Sequence, residues 1–298
     1  RNRKISVPII AANMDTVVGP ELADILIANG STPIFHRFTS YEEQLEWVKK
    51  YQDKTFISCG ILKFDDVSSL LSMGAAGVCI DVAHGHSEKM YHFVEKIKTK
   101  HPDKDVIAGN VCTPMAYHDL VNAGADAIKV GIGPGAACTT REVTGVGVPQ
   151  VTATMDCAQA RDEFYKKTGK YIPIITDGGI RTGGELCKAI ASGADAVMIG
   201  TPLAQSKEAP AQGFNWGMAS PHPALPRGTR VQVGIKGTLE QLFYGPSSVS
   251  NGTQNLIGAL KACMGMVGAL NIKEMHKAEI VVAPSIKTEG KHYQLGLE

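Results

Sequence analysis

Three stretches decide the architecture: Met73-Gly-Ala-Ala-Gly-Val-Cys-Ile-Asp81, Ala123-Gly-Ala-Asp-Ala-Ile-Lys-Val-Gly131 and Ser192-Gly-Ala-Asp-Ala-Val-Met-Ile-Gly200. In each, a helical stretch stops at Gly and a short apolar run follows, ending in Asp or Gly. Glycine stops a helix because it takes positive φ without a Cβ clash. An apolar run lacking polar alternation suits a strand covered on both faces. Repetition of helix, Gly and strand is the signature of βα units.

The pattern extends in both directions. Candidate strands fall at Pro8–Ala12, Thr32–His36, Thr55–Cys59, Gly77–Asp81, Val106–Asn110, Asp126–Gly131, Ile172–Asp177 and Asp195–Gly200. Helical periodicity lies between them at about Glu21–Asn29, Tyr41–Lys50, Asp65–Met73, Ser87–Lys100, Met115–Ala123, Thr152–Lys167 and Gly184–Ser192. These eight alternations predict an α/β fold, a (β/α)8 TIM barrel; an open doubly wound sheet would need fewer strands and a reversal point. A further helix is expected over Ile257–Met266 and another strand at Ile280–Ala283.

Composition narrows the class. The 298 residues read as a single barrel domain, and the chain opens at Arg1 without Met, which suggests a natural start further upstream. Thirty Lys and Arg against 29 Asp and Glu give a net charge of +1, which removes the charge-based case for nucleic acid or a polybasic membrane surface. No apolar run approaches the ~20 residues of a membrane helix. Seven scattered cysteines without a C-x-x-C fit neither a disulfide framework nor a zinc cage, so a reduced, cytoplasmic protein is expected.

Two connections are too long for routine turns. The first, Gly131 to about Gln150, shows no helical or strand periodicity. The second, about 205–232, is Pro-rich, carries Trp216 and reads as an active-site flap.

In a barrel, chemistry gathers at the C-terminal ends of the strands. Asp81, Asn110, Gly131 and Asp177 end strands there. Gly131-Ile-Gly-Pro-Gly-Ala-Ala-Cys-Thr-Thr-Arg141 fits the loose dinucleotide pattern, yet Pro134 and the irregular run do not suit a helix opening onto pyrophosphate. Its glycines allow a tight backbone, and Cys138 follows beside Thr139, Thr140 and Arg141. A cation and free amides beside a thiol lower its pKa and make a nucleophile; the alternative is a small buried residue. Asp177-Gly178-Gly179 and Gly200-Thr201 follow the seventh and eighth strands, where barrels commonly hold phosphate on backbone amides. His84 and His86, with no clear third ligand, read as hydrogen-bonding residues rather than a metal pair.

These motifs resemble the IMP dehydrogenase/GMP reductase family. The resemblance runs from Ala12-Asn-Met-Asp-Thr-Val17 to about Gly258–Gly268 and is most specific over Gly131–Gln150, with support from Ala108-Gly-Asn110, Ile175–Arg181 and Trp216-Gly-Met218. It implies the same barrel. It also implies roles: Cys138 as the thiol attacking C2 of the purine, Thr140 as the catalytic threonine, and Asp177 as the carboxylate holding the ribose hydroxyls. Gly179, Gly200 and Thr201 match phosphate-binding backbone, and Gly217 and Met218 the backbone reading the base edge. Asp81 and Asn110 match positions facing the nicotinamide riboside, and carbonyls of Gly133, Gly135 and Cys138 a potassium site. The cofactor implied is NAD, or NADP for a reductase, with a homo-tetramer or octamer as the assembly.

Asp81–Ser87, Gly145–Gln150 and Asp177–Arg181 look more like dehydrogenases, which convert IMP, NAD and water to XMP and NADH. The lack of a CBS insertion is typical of reductases, which convert GMP and NADPH to IMP and ammonia; a CBS-free dehydrogenase-related branch accommodates both features. A nucleotide-binding relative without turnover is the third reading. There are departures from the family pattern. Ala136 replaces the usual Ser, the flap lacks an Arg-Tyr pair, and no acidic residue lies between Glu208 and Glu240. For activating water the candidates are Arg227, Arg230, His222 and Thr140, and Arg227 is favoured because it lies nine residues before Lys236-Gly237, about where reductases carry Glu-Gly.

Overall fold

The structure, a computed structural model, describes residues 4–217 and 230–281. Eight strands make one parallel sheet: β1 (Ile9–Ala11), β2 (Ile34–Phe35), β3 (Phe56–Cys59), β4 (Gly77–Asp81), β5 (Asp105–Val111), β6 (Ala127–Val130), β7 (Ile174–Asp177) and β8 (Ala196–Ile199). Neighbours follow the order β1-β8-β7-β6-β5-β4-β3-β2. This is a nearly closed (β/α)8 barrel, as the alternations predict. Among the described residues no ladder joins β2 to β1; Ser31, just ahead of β2, donates its Oγ to the Ile9 carbonyl across that seam at 3.4 Å.

The helices are α1 (Pro20–Ala28), α2 (Tyr41–Tyr51), α3 (Phe64–Ser72), α4 (Glu88–Lys100), α5 (Pro114–Asn122), α6 (Thr140–Thr144), α7 (Gln150–Thr168), α8 (Gly183–Ala191), α9 (Thr201–Ala204), α10 (Leu239–Tyr244), α11 (Leu256–Val267) and α12 (Ile272–Met275). Local chemistry sets their ends. Ser40 and Thr113 cap α2 and α5 through their hydroxyls, and Thr182 with Glu185 forms a reciprocal capping box on α8. The three recurrent glycines do turn the chain after α3, α5 and α8: Gly74, Gly124 and Gly193 have φ of +121°, +103° and +104°.

Two expectations are corrected. The Gly131–Gln150 connection is not wholly irregular, since it contains α6; five residues are too few to reveal a 3.6-residue period. Ile280 and Val281 are not in a strand, and Val282 and Ala283 lie outside the described residues. Within the flap, β9 (Phe214–Trp216) pairs antiparallel with β10 (Arg230–Gln232).

Strand alternation places side chains on two sides of the sheet. Ile128 and Val130 of β6 pack outward against helices, whereas Ala127 joins Cys79, Ile175 and Met198 in the barrel interior. The same alternation turns Lys129 inward, together with Asp81 two residues beyond Cys79 and Asp177 two beyond Ile175. The upper layer of the interior is therefore charged.

Candidate active site

Lys129 is 2% exposed, and its ammonium sits between two carboxylates: 2.8 Å from Asp81 Oδ1 and 3.0 Å from Asp177 Oδ2. Asn13 Nδ2 donates to Asp81 Oδ2 at 3.0 Å. An isolated ammonium this deep would be prohibitively desolvated, so the two carboxylates are what keep it charged. Burial opposes that charge, but Asp177 and Asp81 more than offset it and hold Lys129 above the ordinary lysine value. Burial likewise opposes the Asp81 carboxylate. The Lys129 charge and hydrogen bond, with Asn13, nevertheless hold it below the usual carboxylate range.

β5 makes room for this ion group. A Cβ on Gly109 would lie 2.4 Å from Lys129 Cβ, so only glycine lets the lysine stem pass. The β5–β6 register shifts between Gly109 and Val111, and the shift carries Asn110 to the rim. Asn110 Nδ2 donates to the Gly131 carbonyl (2.7 Å) and to Asp177 Oδ2 (2.8 Å). Both partners accept, so the amide orientation is fixed by chemistry. Its Oδ1 is then buried without a partner among the described residues.

These groups line a cavity of about 440 Å³ at the mouth of the barrel. Cys138 and Thr140 stand on its wall with Sγ and Oγ1 3.3 Å apart, and Cys138 is exposed. Arg141 holds the loop together. Its Nε donates to the Ile132 carbonyl (2.9 Å) and its Nη2 to the Val148 carbonyl, so the guanidinium clasps the two ends of the loop. Gly133, at φ +74°, sits under that side chain, where a Cβ would lie 2.6 Å from Arg141 Cγ.

Gly179, Gly200 and Thr201 also border the cavity. The Gly178-Gly179 turn packs on Pro134, which joins the loops after β6 and β7. The amides at the start of α8 are occupied by its own Glu185 and Thr182, so an anion would meet the preceding glycine turn and the loop after β8 instead. Thr201 Oγ1 accepts from Asn215 Nδ2 at 3.3 Å, and Asn215 Oδ1 accepts from Thr16 Oγ1 at 2.8 Å. That chain pins β9 over the mouth and brings Gly217 to the cavity lip. Met218, His222 and Arg227 lie outside the described residues; Arg230 opens β10, and its guanidinium lies 4.2 Å from the centroid of the Phe214 ring. His86 bonds Asp119 through Nε2 at 3.2 Å.

The sequence reading missed Lys129, Asn13 and Asn215. Lys129 had a signal, a single lysine inside an otherwise apolar buried strand. The other two had none, because their partners are distant in sequence.

Residues 1–291 match the family model described as IMP dehydrogenase / GMP reductase domain. The chain belongs to the IMP dehydrogenase/GMP reductase family. Members of this family are oxidoreductases that work with a nicotinamide cofactor. The inosine-5'-monophosphate dehydrogenase of Aquifex aeolicus is 40% identical over 252 residues, 76% of this chain and 48% of that protein. The GMP reductase of Vibrio atlanticus is 35% identical over 290 residues, 91% of this chain and 81% of its own length. That of Streptococcus agalactiae is 42% identical over 216 residues, 70% of this chain and 63% of the relative. The chain thus spans about half the length of the dehydrogenases it matches. No helix among the described residues is long and apolar enough to cross a membrane.

The residues present fit the family's nicotinamide cofactor on one count: Asn110 Oδ1, beside the cavity and without a partner among the described residues, is an acceptor suited to a hydroxyl or a carboxamide N–H. The Gly135 carbonyl accepts the Cys138 amide at 3.0 Å, so it closes a turn within the loop.

Proposed function

We propose that this chain oxidises IMP to XMP through a covalent adduct on Cys138. The observation that carries the reading is the exposed Cys138 thiol, paired with Thr140 on the wall of the same cavity that Asp177 and Asn110 border. Cys138 Sγ bonds to C2 of the purine, and the thiol proton leaves by way of Thr140. The nicotinamide cofactor, when bound, supplies the acceptor for the hydride lost from C2. Water then adds to C2 of the thioimidate, its oxygen stays as the new carbonyl, and sulfur departs as the thiol. Asp177 holds the ribose hydroxyls, and its carboxylate is already oriented by Lys129 and Asn110. Gly179, Gly200 and Thr201 hold the phosphate on backbone amides, and Gly217 with Met218 reads the base edge. Asp81 and Asn110 face the nicotinamide riboside. Arg227 stabilises the attacking water, and no step depends on potassium.

GMP reduction is the second reading, favoured by the match that spans 81% of a GMP reductase. The test is direct: NADH formation from IMP and NAD, against NADPH loss with GMP. Cys138→Ala is expected to abolish turnover while IMP still binds, because the ribose and phosphate contacts lie elsewhere. Turnover that survives this change refutes the adduct for either reaction.

A further inference from the structure

Away from the mouth of the barrel, α8 and α11 approach one another unusually closely. Gly183 of α8 faces Ala259 of α11, and a Cβ on Gly183 would lie 2.3 Å from Ala259 Cβ. The Gly183 amide also donates to the Gly252 carbonyl at 2.8 Å, which fixes the segment leading into α11. Four residues further along each helix come Cys187 and Cys263, so the next rung of the same contact is a pair of cysteines. Cys187 Sγ reaches the Ala259 carbonyl at 3.7 Å, one turn before Cys263, so the two cysteines are neighbours across the helix contact. Small residues at the first rung bring the helices close together, and a short Cα separation is what a disulfide needs.

We propose that Cys187 and Cys263 form an oxidisable dithiol, a modification site outside the catalytic cavity that closes to an intramolecular disulfide with a peroxide as oxidant. Cys263 is partly exposed and Cys187 is buried. Being the more accessible of the two, Cys263 meets the oxidant first, and burial pushes the Cys187 thiol up to about 12. The Cys263 sulfur takes one oxygen from hydrogen peroxide to give the sulfenic acid and water. Cys187 sulfur then displaces the second water as the S–S bond forms, so two thiols and one peroxide yield one disulfide and two waters. The bond would tie α8, which follows the Asp177 loop, to α11 beyond the flap.

The test uses the full chain and hydrogen peroxide, followed by alkylation and tryptic mapping without reductant. The expected product is Thr182–Lys188 joined to Ala262–Lys273 in the monomer fraction, released by dithiothreitol. The melting temperature should rise by several degrees on oxidation and fall back on reduction. Cys263→Ser should lose both the linked peptide and the shift. The exposed Cys138 serves as the internal control for exposure to oxidant. If Cys138 is oxidised while Cys187 and Cys263 are both recovered alkylated, or are linked only between molecules, the proposal is wrong.

Discussion

Lys129 is the residue whose removal separates pairing from packing. In the wild-type chain Asp81 is held below the ordinary carboxylate range, so its pairing stabilises fully at neutral pH and is lost as pH falls through that depressed value. Lys129 is held high, so its own contribution persists until pH rises past the ordinary lysine range. Lys129→Met strands two carboxylates in the barrel interior. The expected loss is about 3–5 kcal/mol at pH 7. It should shrink as the pH is lowered, because protonating Asp81 removes a stranded charge. Urea denaturation between pH 4 and 8 reads this directly, and a loss independent of pH would mean that the lysine stem matters rather than its charge. Asp177 carries a different expectation. Charge-assisted hydrogen bonds contribute roughly 1.5–3 kcal/mol each. Asp177→Ala should therefore weaken IMP by two or more orders of magnitude and 2′-deoxy-IMP by less; calorimetric titration giving equal losses would remove the ribose assignment.

Among the elements, the loop between β6 and α7 and the flap were legible to different degrees. Strands β3, β6, β7 and β8 could be read because each is largely apolar and is followed at once by a glycine, a local signal. The position of Cys138 on the loop was legible too, since Gly131–Gly135 announces a tight backbone. The role of Arg141 was not. Three residues from the cysteine in sequence, it donates to the carbonyls of Ile132 and Val148, partners that nothing local announces. The Asp81–Lys129–Asp177 group was equally hidden, because it joins strands 48 residues apart in either direction. For the flap, Arg227→Ala should slow adduct hydrolysis far more than hydride transfer, since an arginine there stabilises the developing hydroxide. Stopped-flow absorbance should show a burst of NADH followed by a slow steady rate. A burst and a steady rate that fall together would make Arg227 a binding residue.

At the scale of the whole molecule, the barrel divides chemistry from support. The mouth holds the cavity, while the opposite end is tied by Arg161, 2% exposed, to Asp195 at 2.8 Å and to the Gly193 carbonyl at 2.6 Å. The ring of strands is also uneven. β4 and β5 pair over five residues, whereas β2 has two residues and β1 three, and no ladder joins them. The barrel is thus bound like a book, with its spine at β4–β5 and its fore-edge at β1–β2. Backbone amides exchange with solvent in the order in which local openings release them. In deuterium exchange, the amides of β1 and β2 should be replaced well before those of β4 and β5, and denaturant should widen that gap before the whole chain unfolds. The pages that part first are the ones leading to Asn13, so early loosening at the fore-edge would reach Asp81 before any strand of the spine had moved.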